Sequence, residues 1–150
     1  NGSFVDGRAQ WRCWQTGSVR TGDFSVVPCA AVPGAAAALH IANAARTLIG
    51  LQQTVTLVSG TVYRISAYAN SLTTVASHTL FGGRIAVYLP PQKEQSVLWM
   101  TETAGWHYKE LVFENHVDGA AVVYVHLGYG SVATTGAFTA IRLERVAKDE

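Results

Sequence analysis

The chain has 150 residues, a formal net charge of +1, 49% hydrophobic residues and only 14% charged residues. This composition excludes a disordered chain, and the length predicts one domain, residues 1–150, with a well-buried core. Basic residues are few and dispersed, so we expect no nucleic-acid partner, and no apolar run is long enough for a membrane-spanning helix.

Region 8–33 contains both cysteines and two of the four tryptophans, and its pattern predicts irregular structure. Strand-like runs follow in close order, separated by turn-forming glycine, proline and aspartate: 37–42, 53–58, 61–69, 83–89, 96–100, 107–114, 120–127 and 138–146. Short strands at this spacing predict an all-β sandwich or barrel. The alanines of segment 34–48 also favour a helix. We expect a strand around Leu39 to Ala42 instead.

Cys13 and Cys29 are the only cysteines and lie in the least regular part of the chain. A bridge between them would constrain a segment with little core of its own, and a disulfide fits a secreted protein. The alternative is two buried free thiols. The five histidines are scattered without the spacing of metal ligands, so we expect neither a bound metal nor a cofactor.

Signs of catalysis are absent from the sequence pattern. The ten carboxylates include no pair that the sequence places across a cleft, and the common nucleophile and metalloprotease motifs do not occur. We therefore expect the protein not to be an enzyme.

Three strands share a pattern that separates aliphatic residues from a second, polar and aromatic face. In TVYRISAYANS the alternation sends Tyr63, Ile65, Ala67 and Ala69 to the core. The second faces of this strand, of GRIAVYL and of AAVVYVHL contain Tyr68, Asn70, Arg84, Tyr88, Tyr124 and His126. Rings combined with planar hydrogen-bonding groups suit sugars, which present both C–H faces and hydroxyls. The alternative is that these tyrosines only cover the sheet.

Two tryptophans are candidates for stacking platforms at the rim of this surface. Trp99 is the stronger candidate, because Leu98 and Met100 flank it and it therefore faces the opposite side from both. Trp14 is the weaker candidate, because the segment that contains it could fold over either edge of the sheet.

Several segments together resemble one superfamily of proteins. NGSFVDG, ALHI, LQQTVTLVSGTVYRISAYA, GWHYKELVF and GAFTAIRLERV follow in an order similar to that of jelly-roll carbohydrate-binding modules appended to xylanases, cellulases and related enzymes. The resemblance implies a two-sheet jelly roll, a polysaccharide or oligosaccharide ligand in a groove on the concave sheet, a covalently linked catalytic domain and a secreted or cell-surface location. It also implies that Phe4, Trp11 and Trp106 pack structurally.

The sequence departs from this superfamily at a structural calcium site. Many members have a glutamate where this chain has Val5, and two aspartates where it has Thr139 and Ala140. Calcium requires several oxygen ligands. We therefore expect no tightly bound calcium at this position.

Two other functions stay open. The same fold serves as a non-binding spacer or assembly module in cell-surface and phage-tail proteins. The aromatic face could instead bind a protein partner, since tyrosine, tryptophan and arginine also dominate protein–protein hot spots.

Overall fold

The computed structural model describes residues 2–4, 6, 9–15, 24–43, 49–72, 83–89, 93–98, 105–127 and 134–147. Within these ranges the chain forms β-strands and no helix, and so contains no helix that could cross a membrane. The strands are β1 (Arg12–Gln15), β2 (Phe24–Pro28), β3 (Ala37–Asn43), β4 (Ile49–Leu57), β5 (Thr61–Ser71), β6 (Arg84–Leu89), β7 (Lys93–Leu98), β8 (Trp106–Asn115), β9 (Gly119–Leu127) and β10 (Thr134–Arg145).

These strands form two five-stranded antiparallel sheets. Sheet A has the order β1-β4-β9-β6-β7, and sheet B has the order β2-β3-β10-β5-β8. Hydrogen-bonded neighbours are mostly distant in sequence, because the chain passes repeatedly from one layer to the other. The predicted all-β jelly roll is confirmed.

The strand predictions hold except in the N-terminal region. Each of the eight predicted strands overlaps a strand of the structure, and segment 37–43 is a strand rather than a helix. The end of the predicted strand 96–100, residues 99 and 100, lies outside the described residues. The prediction of irregular structure throughout region 8–33 is wrong, because β1 and β2 lie within it. Both are short edge strands that pair on one side only, so the periodic pattern that identifies longer strands is weak in them.

The core lies between the two sheets. Tyr63, Ile65, Ala67 and Ala69 are buried, as the alternation of β5 predicts. The largest fully buried side chains come from both sheets and from the N-terminal segment: Phe4, Leu39, Ile41, Ile49, Leu51, Ile65, Ile85, Leu127 and Phe138. Burial of each such side chain contributes about 1.5–3 kcal/mol of transfer free energy.

The structural packing of three aromatic residues, implied by the resemblance, is also confirmed. Phe4 and Trp11 are buried with their ring centroids 5.7 Å apart. Trp106 packs against a smaller apolar cluster on the outer side of sheet B, formed by Cys29, Val32, Ala35, Ala38 and Ala140.

A β-bulge in β10 decides which side chains leave the core at its C-terminal end. The register against β5 shifts between Thr139 and Arg142, and Ala140 has a φ of 51°. A one-residue shift exchanges the two faces of a strand. Because of the bulge, Ile141 packs in the core while Arg142 is exposed on the outer face.

The two cysteines do not form the predicted bridge. Cys13 is exposed in β1, Cys29 is buried after β2, and the structure has no disulfide between them. The strands belong to different sheets, and Cys29 packs with Val32, Ala35 and other residues on the outer side of sheet B. The sequence places both cysteines in one segment but does not show that this segment contributes to two layers.

Candidate functional site

The structure divides the predicted binding residues between two sheets. Sheet A contains four of them on the hydrogen-bonded strands β6 and β9: Arg84, Tyr88, Tyr124 and His126. Tyr68 and Asn70 lie on β5 in sheet B. The prediction of one shared surface is therefore wrong. Alternation within a strand separates core-facing from outward-facing side chains, but it does not identify the sheet that the strand joins.

The two rim tryptophans are not placed completely. Trp99 lies outside the described residues, and its chain neighbour Leu98 pairs with Arg84. The backbone of Trp14 pairs with Gly50, which in turn pairs with His126. The Trp14 side chain lies outside the described part of the structure, so both stay predictions.

We define face A as the outer face of sheet A, on the side away from the core. Alternate residues on β4 and β9, such as Leu51 and Val125, are buried in the core, which fixes the outward direction of the residues between them. Face A comprises Arg12, Gly50, Gln52, Thr54, Thr56, Arg84, Ala86, Tyr88, Glu94, Ala120, Val122, Tyr124 and His126.

The centre of face A is buried although it points away from the core. Tyr124 is 6% exposed, His126 is 5% exposed, and Ala86 between β9 and β7 is fully buried. The rings of Tyr124 and His126 stack with centroids 4.3 Å apart and an interplanar angle of 17°. Because of this burial, the two rings form a floor rather than an exposed stacking platform.

The position of the His126 ring requires a glycine at residue 50 on the neighbouring strand β4. A Cβ added at Gly50 would overlap the carbonyl oxygen of Val125 and the Cδ2 atom of His126. The His126 ring therefore lies directly against the backbone of β4, which only a residue without a side chain permits.

Burial sets the charge state of His126. Desolvation, followed by the positive charge of Arg84, lowers the pKa of His126 from 6.5 to about 3. The imidazole is therefore neutral at physiological pH. His126 therefore contributes no positive charge to face A.

Beside this floor, face A has an exposed ring and several charged groups. Tyr88 is 39% exposed, and the partly buried Arg84 forms an ion pair with Glu94 of the neighbouring strand β7. On the opposite side, the Nη2 of Arg12 donates a hydrogen bond of 3.3 Å to Oγ1 of Thr54. An exposed ring and guanidinium groups held by neighbours provide a stacking surface with directional hydrogen-bond donors.

Gln52 and Arg12 are two polar residues of face A that were not predicted as site residues from the sequence. Gln52 and Arg12 lie in one register row with Tyr124. The alternation of Ile49, Leu51, Val55 and Leu57 contains the signal, because it sends Gln52 to the outer face once the strand is extended back to residue 49.

In sheet B, Asn70 and Tyr68 have structural contacts. The Oδ1 of Asn70 accepts a 2.9 Å hydrogen bond from the backbone N–H of Gly105, and so fixes the turn that leads into β8. Tyr68 pairs across the sheet with Tyr108 and packs against the smaller apolar cluster. Neither residue can act together with face A, because they lie on the opposite side of the sandwich.

Two of the residues on which the calcium expectation rests, Thr139 and Ala140, make contacts of their own in the structure. Oγ1 of Thr139 donates a 2.6 Å hydrogen bond to the carbonyl oxygen of Ala37, and Ala140 packs in the smaller cluster. Val5 lies outside the described residues. Among the residues that are described, no three His, Cys, Asp or Glu side chains are grouped to hold a metal ion.

Comparisons with known proteins were made by sequence and by structure. No family model and no curated protein matches the sequence. A family 16 carbohydrate-binding module is similar in structure over 96% of both chains, with a TM-score of 0.69 and 18% identity. The chain has the fold of the carbohydrate-binding modules. Another of them, TmCBM61 in complex with β-1,4-galactotriose, matches 97% of this chain and 96% of its own, with a TM-score of 0.63 and 22% identity.

A larger protein also contains this fold. The enzymatically active domain of tailspike protein 4 from bacteriophage CBA120 matches 97% of this chain with a TM-score of 0.68 and 14% identity. The match spans 21% of the tailspike chain. The similarity to these structures establishes the fold and does not establish a ligand.

Proposed function

We propose that the protein is a non-catalytic carbohydrate-binding module that binds a polysaccharide or oligosaccharide through face A and directs an attached enzyme to it. The observation that supports this function is the collection of Arg84, Tyr88, Tyr124 and His126 on two adjacent strands of one sheet face. An antiparallel sheet with one face in water typically alternates core residues with polar residues on that outer face.

The arrangement suggests a role for each group. The exposed ring of Tyr88 stacks on the C–H face of a sugar, while Arg84, oriented by Glu94, donates hydrogen bonds to hydroxyls. Arg12 and Gln52 supply further polar contacts on the other side of the Tyr124–His126 floor. Trp99 and Trp14 stay sequence-based predictions for further stacking surface at the rim. We expect dissociation constants of about micromolar to millimolar. Binding should depend little on salt, because the charges of Arg84 and Glu94 cancel and Arg12 is the remaining charged residue of face A.

The comparisons support this proposal in two ways. Several similar structures are carbohydrate-binding modules, and one of them was solved with a bound oligosaccharide. The similarity to about a fifth of a tailspike chain fits a module that is joined to a larger protein. A secreted or cell-surface location follows from a polysaccharide ligand, and is part of the proposal.

The tailspike similarity also favours a second candidate function. A module of this fold that forms part of a tailspike is consistent with a structural spacer or a protein-binding module of a larger surface protein. A spacer predicts that no glycan binds to the chain. A protein-binding module predicts that Tyr88→Ala abolishes binding to a protein partner while soluble glycans have no effect.

The test is a screen of the 150-residue chain against immobilised plant, algal and host glycans, followed by calorimetric titration of the strongest ligand. We expect Tyr88→Ala to weaken binding at least tenfold, about 1.4 kcal/mol, because the stacking ring is lost. Thr56→Ala is the matched control, since Thr56 is exposed on face A at the far end of β4. Wild-type affinity in Tyr88→Ala, Arg84→Ala and Trp99→Ala together would exclude face A as the binding site.

A further inference from the structure

A depression of about 270 Å³ lies on the outer face of sheet B, opposite face A. Its lining comes from three neighbouring strands whose residues pair in rows: Tyr68 with Tyr108, Ser66 with Arg142, and Arg64 with Glu144. Pro33 and Ala140 complete the lining, and we call this depression the face B pocket. Its volume is close to the lower end of the roughly 300–1,000 Å³ range of small-molecule sites, so it suits a ligand of about one sugar unit.

Ordered backbone features shape the face B pocket. Pro33 belongs to the loop between β2 and β3, which is closed by a 3.0 Å hydrogen bond from the N–H of Cys29 to the carbonyl oxygen of Ala36. On the other side, the bulge in β10 turns Arg142 and Glu144 to the outer face. The pocket therefore results from a folded loop and a bulge in a central strand.

An exposed tyrosine ring is fixed at the edge of the pocket. Tyr108 is 48% exposed, and its ring centroid lies 5.2 Å from that of Tyr68 with an interplanar angle of 55°. The Tyr108 hydroxyl donates a 2.6 Å hydrogen bond to Oε2 of Glu110. This bond, followed by desolvation, raises the pKa of Tyr108. A ring held at both ends loses little conformational freedom when a ligand stacks on it.

The charges around the pocket balance. Nη2 of Arg64 lies 3.1 Å from Oε2 of Glu144, and Nε of Arg64 lies 3.9 Å from Oε2 of Glu110. Arg142 adds a second guanidinium, so two cations face two anions. An anionic ligand gains no net attraction from such a set. A hydroxyl group, in contrast, both donates to carboxylates and accepts from guanidinium groups.

We propose that the face B pocket is a second carbohydrate-binding site, which holds one neutral sugar unit by stacking on Tyr108 and by hydroxyl contacts with Ser66, Arg142 and Glu144. The site is independent of face A, because the two lie on opposite sides of the sandwich. Such a module contacts two separate glycan segments at once.

The test is an amide NMR titration of the chain with the methyl β-glycosides of glucose, galactose and xylose, and with β-1,4-galactotriose. We expect at least one of these neutral probes to shift the amide signals of Tyr68, Tyr108 and Arg142, with a dissociation constant of about millimolar. Tyr108→Ala should weaken this binding by about tenfold, and Arg142→Ala by at least about threefold. Tyr108→Phe keeps the ring and should stay within about threefold of wild type.

Two controls separate this proposal from the function proposed for face A. Val112→Ala removes an exposed side chain from the same strand outside the lining, and should leave binding unchanged. Tyr88→Ala on face A should leave the shifts in the face B pocket unchanged. The proposal is overturned if no probe shifts these signals, if folded Tyr108→Ala keeps wild-type affinity, or if galacturonic acid binds the pocket more tightly than methyl β-galactoside.

Discussion

The burial of His126 makes the stability of the protein depend on pH. The pKa of His126 falls from 6.5 to about 3 in the folded chain, mainly through desolvation. Between these two pH values the unfolded chain binds a proton that the folded chain does not. The contribution of His126 to the free energy of unfolding is therefore present in full well above pH 6.5, and it is lost as the pH falls from 6.5 towards 3.

The size of the effect follows from the two pKa values. Relative to pH 7.5, protonation of the unfolded chain at His126 alone lowers the free energy of unfolding by about 1.4 kcal/mol at pH 5.5 and by about 2.7 kcal/mol at pH 4.5. Carboxylates add their own dependence at the acidic end of the range. That contribution is common to the wild type and to any histidine variant, so it cancels in the comparison.

Urea denaturation of the wild type and of His126→Gln between pH 7.5 and 4.5 measures the effect. The variant loses ring packing against Tyr124 and Gly50, so its stability at pH 7.5 should be lower, but its loss on acidification should be smaller by about 2.7 kcal/mol. His116→Gln, at an exposed position after β8, is the matched control and should follow the wild-type profile. If His126→Gln shows the wild-type dependence on pH, the assignment of a buried neutral imidazole is wrong.

Three further predictions concern stability and covalent state. Gly50→Ala should lower the free energy of unfolding by more than about 3 kcal/mol, because the added Cβ overlaps Val125 and His126, and a loss below about 1 kcal/mol would contradict this packing. Thermal melts in EDTA and in millimolar calcium should have equal midpoints, whereas a rise of many degrees with calcium would reveal a site. Thiol labelling of the unreduced, unfolded protein should detect both Cys13 and Cys29. If neither thiol is labelled, the two cysteines form a disulfide and the structure is wrong at this point.

The sequence predicts the strands and their buried sides better than it predicts how the strands pair into two sheets. The alternation of Tyr63, Ile65, Ala67 and Ala69 identifies the buried side of β5, because one face of a strand must enter the core. The same alternation does not reveal the partner strands. β5 pairs with β8 and β10 in sheet B, whereas β6 and β9 pair with each other in sheet A. The sequence-based prediction therefore assigned to one surface residues that lie on two different sheets.

The bulge and the loop between β2 and β3 were also beyond prediction. Nothing in the run GAFTAIRLERV indicates that Ala140 adopts a positive φ, yet this residue determines that Arg142 leaves the core. Tyr108 was missed as a site residue because its significance depends on Tyr68 across the sheet and on Pro33 in a distant loop. Such contacts are set by tertiary packing rather than by local pattern.

The most direct test of glycan binding by face A is an amide NMR map of the chain with the strongest ligand from the glycan screen. Because β4, β9 and β6 are adjacent in sheet A, we predict that the amide signals of Gln52, Tyr88 and Tyr124 shift together and saturate with one dissociation constant. If these signals stay unchanged at saturating ligand, face A does not bind glycans and the proposed function is wrong.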